Sequence, residues 1–202
     1  MKSLYLRSGL ALLCAVILSA CGGSDGSLIL SGTISGLAKS GLVLINQPTG
    51  EEITIVSGSS SFQFTKLIAV DDQFNVTVKT QPTGAKCEAT KNTGKANVYT
   101  AYYVAITCVT NPYKLGGVVN GLQPNSANQV LILANGADTV SISPAANAAP
   151  VNFVFAGTVG DGMPYGITVI SQPTAQTCSL TAPTGSMGST DKYDLVVNCV
   201  NK

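Results

Sequence analysis

The stretch that decides the fold is Gln81-Pro82-Thr83-Gly84-Ala85-Lys86-Cys87, because it returns as Gln172-Pro173-Thr174-Ala175-Gln176-Thr177-Cys178. The two copies lie 91 positions apart, and in each the next cysteine follows after 21 positions, at Cys108 and at Cys199. A constant offset that carries cysteines and turn residues together indicates an internal duplication. The sequence therefore predicts two copies of one domain.

The match extends well beyond this stretch. At the same offset, the matched apolar pairs are Phe62 with Phe153, Phe64 with Phe155, Phe74 with Tyr165, Val76 with Ile167, Val78 with Val169, Val104 with Leu195 and Ile106 with Val197. Nearer the start of each copy the offset falls to 85, where the matched residues are Gly32 with Gly117, Gly36 with Gly121 and Leu37 with Leu122. Six extra residues in the second copy explain the difference, and loop-like composition predicts insertions at 123–129 and 145–150. We expect domains at residues 27–111 and 112–202, with a short junction at Asn111-Pro112 that restricts their relative motion.

Within each copy the hydrophobic period is two. Apolar and polar residues alternate over residues 61–65 and 74–79, which predicts strands with one apolar face. Two continuous apolar runs, at residues 42–45 and 130–133, predict strands that are buried on both faces. Seven or so short strands per copy, separated by Gly, Asn and Pro, predict an all-β fold made of two β-sandwiches.

The repeated QPT segments at residues 81–83 and 172–174 predict tight turns. Proline suits the second position of a β-turn because its φ is held near −65°. The residue after the threonine is Gly84 in one copy and Ala175 in the other. Because alanine is accepted there, we expect neither turn to need a positive φ, which favours type I geometry over type II.

Residues 1–20 have the composition of an export signal. Lys2 and Arg7 precede an apolar run at residues 9–18, which is too short to cross a bilayer of about 30 Å as a stable helix. A cleaved signal peptide is therefore expected.

The end of this signal, Leu18-Ser19-Ala20-Cys21, resembles the lipobox of bacterial lipoproteins. The resemblance implies cleavage before Cys21 and a diacylglycerol on the Cys21 sulfur, with a further acyl chain on the new amino group in Gram-negative bacteria. An ordinary secretory signal with a chance cysteine is the alternative. Residues 21–26 are expected to form a flexible lipidated tether, and Gly22 after the cysteine resembles the pattern sent to an outer membrane.

Four cysteines remain once Cys14 leaves with the signal and Cys21 carries lipid, and four cysteines allow three pairings. Equal spacing in two copies favours the pairs Cys87–Cys108 and Cys178–Cys199, because each copy should close the same geometry. Exported proteins meet an oxidising compartment in which disulfide bonds persist. Metal ligation or a reactive thiol is the alternative, but the chain has no histidine and no CxxC spacing, so no metal and no cofactor is predicted.

The charge of the chain argues against nucleic-acid partners. Loss of Lys2 and Arg7 from the eleven basic residues leaves nine, against ten acidic residues. A chain this close to neutral has no basic field to attract nucleic acid or acidic lipid headgroups. The predicted membrane contact is therefore the lipid on Cys21.

The separated motifs also resemble a known class of repeat. SGxxSGL at residues 31–37, FxF at 62–64 and QPTGxxC at 81–87, with their second copies, are similar to Ig-like β-repeats that occur, often in tandem, in proteobacterial surface lipoproteins and secreted proteins. The resemblance covers nearly all of residues 27–202 and implies Ig-like or related sandwiches with an extracytoplasmic, non-catalytic role. The core tryptophan of antibody domains is absent, so the strand topology stays open.

The residues offer little reaction chemistry. Without histidine, Ser-His-Asp and Cys-His arrangements are excluded. The adjacent acids Glu51-Glu52 and Asp71-Asp72 lie in turn-like surroundings without counterpart pairs in the second copy, and a solvated loop is favoured over a catalytic pair. Three further acids, Asp161, Asp191 and Asp194, are weak candidates for calcium, because no spaced acidic loop surrounds them.

Tyrosines are the remaining candidates for contact. Tyr99, Tyr102 and Tyr103 cluster before Cys108, and a sheet-covering role is favoured over a contact with sugar or protein. The sequence thus predicts a non-enzymatic, lipid-anchored envelope protein, at the outer membrane of a Gram-negative bacterium. Its two Ig-like domains would have a structural role or bind an envelope protein or polysaccharide. A carbohydrate- or small-ligand-binding lipoprotein is the alternative.

Overall fold

The computed structural model describes residues 26–99, 103–124 and 130–202, and the regular structure in these ranges is entirely β. The strands of the first half are β1 (Ser31–Ser35), β2 (Leu42–Asn46), β3 (Glu51–Ile55), β4 (Ser61–Gln63), β5 (Gln73–Thr80), β6 (Ala85–Thr90), β7 (Thr93–Lys95) and β8 (Val104–Thr110). Those of the second half are β9 (Pro112–Asn120), β10 (Leu131–Asn135), β11 (Asp138–Ile142), β12 (Val151–Gly160), β13 (Pro164–Ser171), β14 (Gln176–Leu180), β15 (Thr184–Ser186) and β16 (Lys192–Asn201). These described ranges contain no helix of the length and apolarity that spanning a membrane requires.

The strands form two domains of two sheets each. In the first domain the strand orders are β4-β1-β8-β6 and β3-β2-β5-β7; in the second they are β12-β9-β16-β14 and β11-β10-β13-β15. The first strand of each domain runs parallel to the last one, β1 with β8 and β9 with β16. The other pairings shown within the sheets are antiparallel. The predicted all-β fold of two tandem sandwiches is confirmed, with eight described strands per domain.

Each domain has its own hydrophobic core between its two sheets. The FxF residues occupy the same place in both cores: Phe62 and Phe64 meet edge to face at 5.9 Å between ring centroids, and so do Phe153 and Phe155. Edge-to-face contacts of this kind add stability beyond the area that the rings bury. The duplication therefore preserves side-chain packing as well as sequence.

The two apolar runs differ from the sequence prediction. In β2, Leu42 and Leu44 are fully buried while Val43 and Ile45 are half-buried, so only one face lies in the core. Val130 lies before β10 and is exposed. The prediction of strands buried on both faces was wrong because nothing packs over the outer face of an antiparallel sheet in a two-layer sandwich.

The strands also show where the two copies differ in length. Asn46 ends β2 and Asn135 ends β10, an offset of 89, and each accepts a backbone hydrogen bond at 3.1 Å, from Asn75 N and from Gly166 N respectively. The next hairpin loop has four residues in the first domain and two in the second. The offset between the copies is 85 at the first strand and rises by four, to 89, before β10. It falls by two in this hairpin and rises by four again, to 91, before β12. The predicted insertions at 123–129 and 145–150 omitted this shorter turn.

Candidate functional site

Glu51 is a structural carboxylate that links the two sheets of the first domain. It begins β3, and its Oε1 accepts hydrogen bonds from Thr65 N at 2.6 Å and Thr65 Oγ1 at 2.7 Å, just after β4 of the opposite sheet. Its Oε2 accepts a hydrogen bond from Lys66 N at 2.9 Å. Burial would raise the pKa of Glu51, but these hydrogen bonds outweigh it and hold the pKa below its ordinary value.

The second domain repeats this link with a different acid. Asp138 begins β11, and its Oδ2 accepts a hydrogen bond from Gly157 N at 2.8 Å. The sequence comparison found no counterpart of the Glu51-Glu52 pair because the shorter hairpin moves Asp138 out of the offset of 91. Glu52 pairs with Lys79 at the surface. The first acid of the pair therefore connects sheets and has no partner carboxylate.

The other acids do not converge on one site. Asp72 accepts a hydrogen bond from Ala69 N at 2.8 Å within the turn before β5. Asp191 accepts hydrogen bonds from Lys114 N at 2.8 Å and Tyr193 Oη at 3.1 Å, and Asp194 pairs with Lys192 at 2.7 Å. In the described ranges, no three His, Cys, Asp or Glu side chains lie close enough together to hold a metal ion.

Each predicted cysteine pair lies on two neighbouring strands of a sheet in its own domain. Cys87 on β6 and Cys108 on β8 are directly opposite and joined with an S–S distance of 2.01 Å. Cys178 and Cys199 are joined in the same way on β14 and β16, at 2.04 Å. Each bond thus links two adjacent strands of its own sheet.

A glutamine accompanies each disulfide bond. Gln81 Nε2 donates to Cys87 O at 2.9 Å, and Gln81 Oε1 accepts from Cys87 N at 2.7 Å. Gln172 makes the same two bonds to Cys178, at 2.9 and 2.8 Å. The side-chain amide therefore pairs with the cysteine backbone as a neighbouring strand would.

The hydrogen-bonded turn begins at the proline, one position later than predicted. Ala85 N donates to Pro82 O, and Gln176 N to Pro173 O, each at 3.3 Å. Gly84 has a φ of +76°, whereas Ala175 is not among the positive-φ residues. The prediction that neither turn needs a positive φ was therefore wrong for the first copy, where Gly84 also lies at the contact between the domains.

That contact centres on the turn Gly160-Asp161-Gly162, which joins β12 to β13 and packs against the first domain. Asp161 Oδ1 accepts a hydrogen bond from Lys39 Nζ at 2.6 Å, across 122 positions of sequence. A Cβ built on Gly84 would lie 2.5 Å from Asp161 Oδ2, and one on Gly160 would lie 2.0 Å from Thr110 Oγ1. The second domain therefore approaches the first too closely for a side chain at either glycine.

Backbone hydrogen bonds continue through the linker. Asn111 N donates to Gly84 O, and Asp161 N donates to Asn111 O, both at 2.9 Å. The residue between the two domains is thereby bonded to both of them. We call Lys39, Gly84, Asn111 and Asp161 the interdomain joint.

The joint holds a buried ion pair. Asp161 is 6% exposed, and Lys39 lies beside it at the edge of the joint. The Lys39 ammonium and, less strongly, the Ser189 hydroxyl hold the pKa of Asp161 below its ordinary value, although burial opposes the shift. Oδ2 receives no hydrogen bond of good geometry from the described residues. The ion pair therefore joins the two domains and fixes the position of Asp161.

The predicted tyrosine cluster is only partly within the described residues. Tyr99 is 81% exposed, and Tyr103 is about half exposed with Lys91 Nζ 4.7 Å from its ring centroid. Tyr102 and the predicted lipid site Cys21 lie outside the described ranges. Two surface depressions, near Gly32 and Phe62 and near Gly36 and Gly58, are shallow and open to solvent. Neither offers an enclosed cavity for a small ligand.

Sequence reasoning considered Asp161 only as a calcium candidate and missed the joint. The sequence contains one signal for the joint, which is a difference between the aligned copies. Asp161 aligns with Val70, and Gly84 aligns with Ala175. Positions at which a duplicated domain changes chemical character mark places where the two copies have different neighbours.

No protein-family model and no curated protein matches the chain. Among solved structures, the chain is similar to the major pilin protein T3.2 from Streptococcus pyogenes. The two share 12% sequence identity with a TM-score of 0.28, over 89% of this chain and 99% of that one.

Proposed function

We propose that this chain is a non-catalytic, lipid-anchored protein of the cell envelope that presents two β-sandwich domains, residues 27–111 and 112–202, in a fixed arrangement. Its role would be structural, or the binding of an envelope protein or polysaccharide. The observation that carries this proposal is the interdomain joint. Because Asp161 is buried against Lys39 and Gly84, the second domain is held in position and is not merely linked.

The anchor is supported by the sequence before the fold. An apolar run with a basic start leads to Leu18-Ser19-Ala20-Cys21, and among the described residues the first buried core residue is Leu30. Several acyl chains on one residue would hold the protein stably on a membrane, since each buried CH₂ contributes about 0.8 kcal/mol. Gly22 after the cysteine supports an outer-membrane location in a Gram-negative host.

The anchoring is tested by Cys21→Ser with Cys14→Ser as the matched control. Both variants lose one thiol from the N-terminal segment, but only Cys21 is predicted to carry lipid. We expect Cys21→Ser to abolish fatty-acid labelling and to leave the membrane fraction, while Cys14→Ser keeps both properties. An unmodified Cys21 in the mass spectrum of the mature wild-type protein would overturn the anchoring.

The presenting role is tested by crosslinking in intact cells, followed by purification of the anchored protein. A structural or interaction role predicts a defined envelope protein or polysaccharide attached through one of the two domains. The binding of a small soluble ligand has less support, because the two surface depressions are shallow. Ligand-induced thermal stabilisation by a panel of sugars, without any crosslinked envelope partner, would favour that alternative.

A further inference from the structure

One end of each domain has the same construction in both copies. It consists of the turn before the long strand (β5 or β13) and the segment after the short strand (β7 or β15). Asp71 N donates to Ala96 O at 2.8 Å in the first domain, and Gly162 N donates to Met187 O at 2.9 Å in the second. We call this the proximal end of each domain.

In the second domain the proximal end is a docking surface. It contains Asp161, the buried acid of the interdomain joint, and Ser189, whose hydroxyl acts on the Asp161 carboxylate. Through these polar residues the second domain attaches to the domain that precedes it. Within the described residues, the proximal end of the first domain is not part of the interdomain joint.

The side chains at the two proximal ends differ in character. Aligned at the offset of 91, polar residues of the second domain are replaced in the first by apolar ones or tyrosine: Thr158 by Leu67, Asp161 by Val70, Ser189 by Val98 and Thr190 by Tyr99. The replacements are between 51% and 81% exposed. Exposed apolar side chains concentrated at one end of a domain indicate a surface that is covered by something. We call Leu67, Val70, Val98 and Tyr99 the apolar proximal face.

This face lies beside the start of the described chain. Gly26 packs so closely that a Cβ on it would lie 2.6 Å from the backbone of Leu67 and Ile68. Leu28 and Ile68 exchange backbone hydrogen bonds of 3.0 Å in both directions. Cys21 is only five residues before Gly26, a span of at most about 18 Å for an extended chain. A lipid on Cys21 would therefore hold the apolar proximal face close to the membrane.

The interdomain joint lies at the other end of the first domain. Strand β5 starts at Gln73, directly after the turn of the proximal end, and finishes at Thr80, directly before the turn that contains Gly84. The eight residues of this strand separate the two ends by about 26 Å. A membrane beneath the apolar proximal face would not interfere with the joint.

We propose that the apolar proximal face rests in the headgroup region of the membrane that holds the Cys21 lipid. This proposal depends on the lipid anchoring proposed above. Tyrosine favours the interface because its ring is apolar and its hydroxyl stays hydrated. A contact by four side chains is weak alone, but the tether raises its effective concentration. The first domain would then stand between the lipid and the second domain.

The charges near this face do not select acidic lipids. Lys66 and Lys95 lie next to it, and so do Asp71 and Asp72, while the Glu51 carboxylate accepts a hydrogen bond from Lys66 N, so basic residues are not in excess. Attraction to anionic headgroups needs an excess of basic residues close to the surface. The contact should therefore form on zwitterionic vesicles and should depend little on salt.

A single tryptophan can report this contact, because the chain has none. Tyr99→Trp places an indole on the apolar proximal face, and Tyr193→Trp is the matched control on an exposed tyrosine of the second domain. The lipidated proteins are reconstituted into phosphatidylcholine vesicles with or without bromine on the acyl chains. We expect bromine to lower the emission of the Tyr99→Trp protein about twofold, with a shift to shorter wavelength, and to leave the Tyr193→Trp protein unchanged.

A second variant tests the face by giving it the residues of the other copy. Val70→Asp with Val98→Ser, added to Tyr99→Trp, should remove the quenching while the protein still floats with the vesicles. Absence of quenching in the Tyr99→Trp protein, despite flotation, would overturn the proposal. So would a shift of its emission that needs no vesicles and rises with protein concentration, which would identify a contact with a second copy.

Failure of the anchoring can be told apart from failure of this inference. Flotation of the wild-type protein and the mass of its N-terminal peptide report lipidation alone. If the cell leaves Cys21 unmodified, a chain that begins at Cys21, and so keeps both cores, can be coupled through that thiol to a maleimide lipid. Quenching from position 99 on such vesicles would support the face, and its absence would refute it.

Discussion

The turns at residues 82–85 and 173–176 differ at two positions, and one of these differences, Gly84 against Ala175, shows how a duplicated domain adapts to its neighbour. Both turns carry the same glutamine bonds to a cysteine and accept a backbone bond from the end of the domain. Asn111 N donates to Gly84 O at 2.9 Å, and Lys202 N donates to Ala175 O at 3.0 Å. Within the described residues, Gly84 also has the second domain packed against it, through Asp161. The glutamine bonds, which both copies share, stabilise each domain by itself. Gly84, which differs between the copies, allows the close contact between the domains.

The largest change in stability is expected when one disulfide bond is removed at a time. Cys87→Ala with Cys108→Ala should lower the free energy of unfolding of the first domain by about 3 kcal/mol, because the bond restricts the unfolded chain. Cys178→Ala with Cys199→Ala should cost the second domain a similar amount, since both bonds span 21 positions. Urea unfolding followed by hydrogen exchange in each domain measures this. A loss in one domain only would contradict the equivalence of the two copies.

The next test removes the glutamine beside each bond. Gln81→Ala and Gln172→Ala each delete two hydrogen bonds to a cysteine backbone and should each cost about 2 kcal/mol in their own domain. Gln47 is the matched control, because it also precedes a Pro-Thr-Gly sequence but makes one exposed bond, to Thr77 Oγ1 at 3.0 Å. Gln47→Ala should change the unfolding midpoint little. Equal effects from all three variants would show that the cysteine contact is unimportant.

A smaller loss of stability is expected when Gly84 is replaced by alanine, the residue at the matching position of the second copy. Gly84→Ala places a side chain at a φ of +76° and against Asp161, so we expect a loss of about 1–2 kcal/mol and a loosened joint. Gly50→Ala is the control for backbone strain alone, since Gly50 has a φ of +66° and open space around it. Nuclear magnetic relaxation measures whether the domains tumble together. Coupled tumbling that survives Gly84→Ala would show that the second domain does not depend on this glycine.

The smallest expected effect is a loosening of the interdomain joint at acidic pH. A carboxyl whose pKa is lowered by folding stabilises the folded arrangement above its unfolded value, near 4, and loses that contribution as the pH falls through the folded value. The joint should therefore be intact at neutral pH and loosen below about pH 4 as Asp161 takes up a proton. Domain tumbling measured across this range tests the prediction. Asp161→Asn should remove the pH dependence, and an unchanged profile in that variant would assign it to another group.

Much of the fold could be predicted because its signals are local or repeated. The period of two in residues 74–79 indicates a strand whatever its neighbours are, and equal spacing favours one disulfide pairing out of three. The shorter hairpin at Asn135 and the bond from Gln81 to Cys87 could not be predicted, because they depend on how the backbone turns. The sheet-linking role of Glu51 depends likewise on which strand of the opposite sheet lies nearby.

The sequence by itself determined that the chain is a duplicated β-protein with two equivalent cysteine pairs and without histidine-based chemistry. Only the tertiary structure decided that Asp161 is buried against Lys39, that Gly84 needs a positive φ, and that Val70 and its neighbours are exposed. The physical reason is the sequence separation over which each interaction acts. Alternation, turn residues and cysteine spacing act over a few positions or repeat at a constant offset. The contact from Lys39 to Asp161 spans 122 positions and exists only because two folded domains meet.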